Sequence, residues 1–218
     1  MKLGKYLLSA FGALIIYSSL NSQVTSVGMA VKFLSEKIGS NEYRVLKSRN
    51  NDLALLDSIY QLSLTYFDDD ISESLLALTF TTLPYNEIPV VIPLLRIKLD
   101  VPLVSVAEPG FSLKNENLPG SLFYDTPEHE LKDKDKLAHF FGSAFLAYNS
   151  RLFDLTEIIA IFVEDFEETF YVQSSVDLRD IRTDHLGNMF GKALKKNKKV
   201  MPSEFFILYP LIYFRYNL

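Results

Sequence analysis

Apolar residues recur at helical spacing through most of this chain. Between Val27 and Ile38 they stand at Val27, Ala30, Val31, Phe33, Leu34 and Ile38, and Gly39 closes the run. A second stripe follows the capping pair Asn50-Asn51, through Leu53, Leu56, Ile59, Tyr60, Leu62 and Tyr66. Asp68, Asp69 and Asp70 interrupt it. Adjacent side chains diverge, so three successive aspartates read as a solvated turn rather than a cation site. Ser74–Thr82 reads as helix first and then extended chain.

The period changes after Thr82. Pro84, Pro89, Pro93 and Pro102 forbid a long helix, while Arg96, Lys98 and Asp100 alternate with Leu95, Ile97, Leu99 and Val101. Proline cannot donate to a ladder, so the spacing predicts short or edge strands interrupted by proline. Residues 107–131, with Pro109-Gly110 and Pro119-Gly120, predict a long ordered loop.

Helical spacing then returns in three segments between Lys132 and Ala193. The first places Asp135 and His139 four apart on one face, among Leu137, Phe140, Phe141, Ala144 and Phe145. The middle one sets Glu157, Glu164 and Glu168 opposite Ile158, Phe162, Phe166 and Phe170. The third carries Asp180, Asp184, Gly187, Asn188 and Gly191 down one side. Glycine inside a helix costs about 0.5–1 kcal/mol relative to alanine, so Gly142, Gly187 and Gly191 point to close helix packing. The expected fold is mainly α: a C-terminal helical bundle with a smaller mixed α/β N-terminal region. The divisions expected are 1–23, 24–112 (helix and short strand), 113–200 (helical core) and 201–218 (an aromatic segment).

Composition changes this picture in three ways. An apolar share of 48% and mean hydropathy of +0.10 suit a compact chain that touches a membrane. A formal charge of −5 with no basic stripe argues against nucleic acid as a partner. The absence of cysteine excludes disulfides, thiolate metal sites, cysteine nucleophiles and a lipidated-cysteine anchor. Residues 1–23, with two lysines ahead of an apolar run from Tyr6 to Leu20, have the pattern of a secretory signal peptide or an N-terminal anchor. The tail after Lys195–Lys199 is rich in aromatics and broken by Pro210, as core packing or an interfacial segment would be.

Asp135, His139 and Asp184 are the candidates for chemistry, and Glu164, Glu168, Asp180 and Asn188 complete a candidate polar cluster. Each has a plain structural reading: Asp135 as an N-cap, His139 as a satisfied core histidine, the glutamates as a wet helix face. Together, carboxylates and an imidazole in an apolar bundle must share protons, pair with a cation or hold a divalent metal. Lys136 and Arg182 are the neighbouring cations.

At these residues the chain resembles a group of small bacterial envelope proteins with the pattern D-K-x-x-H-F, then an acidic helix, then D-x-x-x-D-x-x-G-x-x-x-G. Asp135, Lys136, His139 and Phe140 match the first part; Asp180, Asp184, Gly187 and Gly191 match the second. With Asn188 after the first glycine, the layout is distantly similar to the VanZ-like membrane proteins, named for a link to teicoplanin resistance. The resemblance covers roughly Asp133 to Leu194, and it implies an envelope location and a helical core with no established reaction. Two function classes follow as expectations. One is an exported, membrane-associated structural or binding module that meets a lipid or membrane surface. The other is a metal-dependent or hydrolase-like enzyme acting on a lipid or cell-wall component.

Overall fold

The computed structural model describes residues 26–92, 97–129, 131–150 and 178–216. Among these the chain is mainly helical, in the order α1 (Ser26–Ile38), α2 (Asn41–Arg49), α3 (Asp52–Tyr66), α4 (Ile71–Thr81), β1 (Glu87–Ile92), β2 (Ile97–Pro102), α5 (Gly110–Asn117), α6 (Lys134–Asn149), α7 (Leu178–Leu194) and α8 (Pro202–Tyr216). Residues 1–25, which hold the expected signal peptide or anchor, and the middle acidic segment with Glu157, Glu164 and Glu168 lie outside the described residues.

Local chemistry sets the helix starts. Ser40 accepts from the Tyr43 amide, Asn51 from Ala54 and Asp70 from Glu73, each satisfying a donor that the first helical turn leaves open. The three aspartates divide their work. Asp68 and Asp69 take positive φ values of 49° and 67° in the turn, and Asp70 caps α4. That helix continues to Thr81, past the point where extended chain was expected. Helix α2 has little apolar periodicity and was not expected; a single buried residue, Tyr43, ties it to the core.

The interior is one hydrophobic cluster fed by both halves of the chain. Leu34 and Ile38 of α1, Leu55, Leu56 and Ile59 of α3 and Leu75 and Leu78 of α4 meet Leu137, Phe140 and Phe141 of α6 and Leu186, Phe190 and Leu194 of α7. The buried face of α3 is turned from the predicted one: Leu55 is inside, while Leu53, Leu62 and Tyr66 sit at the margin. Rings knit the centre. Phe140 stacks on Phe190 at 5.4 Å between centroids, and Tyr60, Phe205 and Phe206 pack around that pair at 4.9–5.3 Å. Phe205, Phe206 and Tyr209 are buried, so the first half of α8 is core. Its backbone stays helical through Pro210, where a break was expected. A single proline removes one backbone hydrogen bond, and the aromatic anchors upstream hold the helix regardless.

Between α4 and α5 the backbones of β1 and β2 run antiparallel, with Val90 opposite Leu99. The stretch read as a long loop contains α5, and α5 anchors the approach to the hairpin. Lys114, buried, donates from Nζ to the Thr81 and Leu83 carbonyls at 3.0 and 2.7 Å and lies 4.5 Å from the Phe111 ring centre. Burial alone pushes its ammonium down to about 7. Asn115 donates to the Pro84 carbonyl at 3.1 Å. These contacts fix the segment carrying Tyr85.

Candidate functional site

Helices α6 and α7 share the most extensive helix–helix contact described in the protein, and the small residues of α7 make it possible. A Cβ at Gly187 would stand 2.2 Å from the Phe140 carbonyl oxygen, and one at Gly191 would stand 2.2 Å from that of Ala144. Neither position has room for a side chain, so the two backbones touch. Gly142 is different. A Cβ there would meet only Thr79 of α4, at 3.4 Å, so this glycine faces α4 and not the α7 seam.

Close approach brings the polar residues of both helices to one edge of the seam. Lys136, with a side chain only 4% exposed, places Nζ 2.7 Å from Asp135 Oδ2 and 2.6 Å from Asp180 Oδ1. His139 sets Nδ1 3.4 Å from Asp184 Oδ1 and Nε2 3.8 Å from Asp180 Oδ1. Ser143, four residues beyond His139, donates to Asp184 Oδ1 at 2.8 Å. Desolvation opposes charge on His139, but the hydrogen bond and charge of Asp184, with Asp180, outweigh it and raise the ring above its ordinary 6.5. Tyr85 flanks the same group. Burial and then the negative charges of Asp135 and Asp180 push its phenol up to about 12, so it remains neutral.

The structure thus brings together Asp135, His139, Asp180 and Asp184, with Asp135 joined through Lys136. His185 is exposed and Asn188 is half-buried on the same helix. Ser143 and Tyr85 are additions. Ser143 was legible as the next position on the Asp135/His139 face; Tyr85 arrives from a segment fifty residues upstream and carries no local signal.

A second polar knot lies at the start of α6. Asp133, fully buried, accepts from the Leu122 and Phe123 amides at 3.2 and 3.4 Å and from the Thr126 hydroxyl, and pairs with Arg179 Nη2 at 2.9 Å. It occupies the N-cap position without a side-chain capping bond, while Asp135 stands in the first turn. Arg179 also donates to the Asp125 carbonyl, and Arg182 pairs with the Asp125 carboxylate. The Arg182 guanidinium also lies 5.7 Å from the Tyr209 ring centre.

Chemically, the arrangement holds its own counter-charge. The Lys136 ammonium sits between Asp135 and Asp180. Among the described residues no group of three or more His, Asp or Glu side chains is placed to hold a metal ion. Ser143 gives its hydroxyl proton to the same Asp184 oxygen that His139 Nδ1 approaches. Among the same residues no helix is long and apolar enough to cross a membrane. No protein-family model matches the chain, and comparisons with curated proteins and with solved structures give no match.

Proposed function

We propose that this chain is a non-catalytic, membrane-associated structural or binding module of the bacterial cell envelope, whose acidic and histidine motif locks two helices. The observation that carries this reading is Lys136, a nearly inaccessible ammonium within 2.7 Å of one carboxylate on each helix. A group that carries an ammonium of its own is partly neutralised from inside and has less need of a metal. The glycine seam supports the same reading, because its polar residues lie where the backbones are closest. The lysine-flanked apolar leader supports export, and the hairpin is a minor element beside a helical body.

The decisive experiment pairs elemental analysis of the native protein with a melt of Asp184→Asn. The variant is expected to fold and to lose roughly 1 kcal/mol, the worth of a charge-assisted contact at a half-exposed carboxylate. The parent is expected to contain no stoichiometric metal. The half-open His139–Asp184 pair favours a second reading, in which it exchanges protons with a lipid or cell-wall substrate. Stoichiometric metal, or hydrolysis abolished in an Asp184→Asn protein of unchanged stability, would replace the first reading with the second.

A membrane surface remains the proposed partner. Ile207 and Leu208 on α8 are 61% and 45% exposed, a short way along the chain from the exposed Lys195–Lys199 run. Apolar contact beside basic charge suits an anionic bilayer. The protein is expected to co-sediment with vesicles containing phosphatidylglycerol and not with phosphatidylcholine alone, and Ile207→Ser/Leu208→Ser should release it. Failure to bind anionic vesicles would remove the lipid partner from the proposal.

A further inference from the structure

His139 stands with both ring nitrogens facing carboxylate oxygens of α7, Nδ1 toward Asp184 and Nε2 toward Asp180. A neutral imidazole carries one N–H and one bare lone pair, so it offers a donor to only one of these two carboxylates and positive charge to neither. Only the doubly protonated ring presents a donor to each side. The charged groups that act on it among the described residues are Asp184 and Asp180 from α7 and Lys136 from α6; Ser143 reaches it through Asp184, Asp135 pairs with Lys136, and the neutral Tyr85 phenol lies near Asp135 and Asp180. Lys136 pairs with Asp135 Oδ2 and Asp180 Oδ1, and the described partners of Asp184 are the imidazole and the Ser143 hydroxyl. The His139 side chain is about 30% exposed, so solvent protons reach it without unfolding.

We propose that His139 is an acid-sensing latch: as an imidazolium it clips α6 to α7 through Asp184 and Asp180, and the clip is released when the ring loses its proton. This rests on the reading of the α6–α7 seam as structural. It adds a regulating condition, external acidity, to which a protein of the cell envelope would be exposed. A group raised in the folded state contributes stability in full below its unfolded value of about 6.5, and that contribution fades as pH rises through the folded value. The seam is therefore tightest in mild acid and loosens toward alkaline pH.

Other groups titrate as well, Lys114 among them. That lysine is depressed in the folded state, so it destabilises below about 7 and its cost is relieved as pH rises toward its unfolded value. The test must isolate His139. Imidazole proton resonances of the full chain, followed by NMR from pH 5 to 9, read its titration directly. The expected midpoint for His139 lies above 6.5 in the parent and moves downward in Asp184→Asn. In parallel, the difference in melting temperature between the parent and His139→Gln should be largest near pH 5.5 and shrink by pH 9. A midpoint at or below 6.5, or a melting difference independent of pH, overturns the latch. Either result leaves the structural reading standing, because that reading depends on metal content and on the stability of Asp184→Asn. Stoichiometric metal overturns both. If Asp184→Asn fails to fold, the pH profile of His139→Gln decides alone.

Discussion

Lys136→Met is expected to lower the stability of this protein by about 3 kcal/mol, read as a shifted denaturant midpoint with unchanged slope. The figure follows from what the substitution leaves behind. Methionine fills much of the volume of the lysine stem, so the packing loss is small. Asp135 and Asp180, 29% and 33% exposed, lose the ammonium at 2.7 and 2.6 Å and face one another across the seam. Breaking a buried pair on one side costs about 3–5 kcal/mol, and the partial exposure of the carboxylates places this case at the lower end. The double change Lys136→Met/Asp180→Asn should recover part of the loss, since it removes the charge stranded by the first. A Lys136→Met protein as stable as the parent would mean that the ammonium does not neutralise the cluster.

The second large effect is expected at the glycine seam. Gly187→Leu should destabilise by about 3 kcal/mol, the upper end for overpacking a well-filled interface. A methyl group already meets the Phe140 carbonyl oxygen at 2.2 Å and Ser143 Cβ at 3.0 Å, and both belong to the neighbouring helix. Backbone cannot swing aside as a flexible side chain does, so relief requires α7 to lift away from α6. That movement would also lengthen the ion pairs that Asp180 and Asp184 make with Lys136 and His139. Gly142→Ala is the internal comparison. Its Cβ would make ordinary contact with Thr79, and alanine gains about 0.5–1 kcal/mol of helix preference, so the change should be neutral or stabilising. Equal melts for Gly187→Leu and the parent would show that the seam is not closed.

Residue spacing alone told the helical class of the chain, the start of α3 after Asn50-Asn51, and the sharing of one face by Asp135 and His139 and of another by Asp180, Asp184, Gly187 and Gly191. These are consequences of a 3.6-residue period and of short capping side chains, both of which act within a few residues. The same locality explains the misses. Helix α2 and α5 have weak periodicity and are held by distant partners: Tyr43 by the core, Lys114 by the ends of α4. The buried face of α3 was misjudged because Leu53, Leu55 and Leu56 are equally apolar, and only the neighbouring helices choose among them.

The glycine pattern foretold a close contact without naming its surface. Gly142 and Gly187 are chemically identical, and what separates them is a carbonyl at 2.2 Å against a threonine methyl at 3.4 Å. The charge state of the cluster belongs to tertiary structure in the same way. Sequence supplied the carboxylates, the imidazole and two nearby cations. Folding turned Lys136 inward between Asp135 and Asp180 and sent Arg182 to Asp125. Helical periods set which side chains share a face, since that depends on neighbours three and four residues away. Which opposing face they meet, and at what distance, is decided only when segments far apart in the chain are packed into one core.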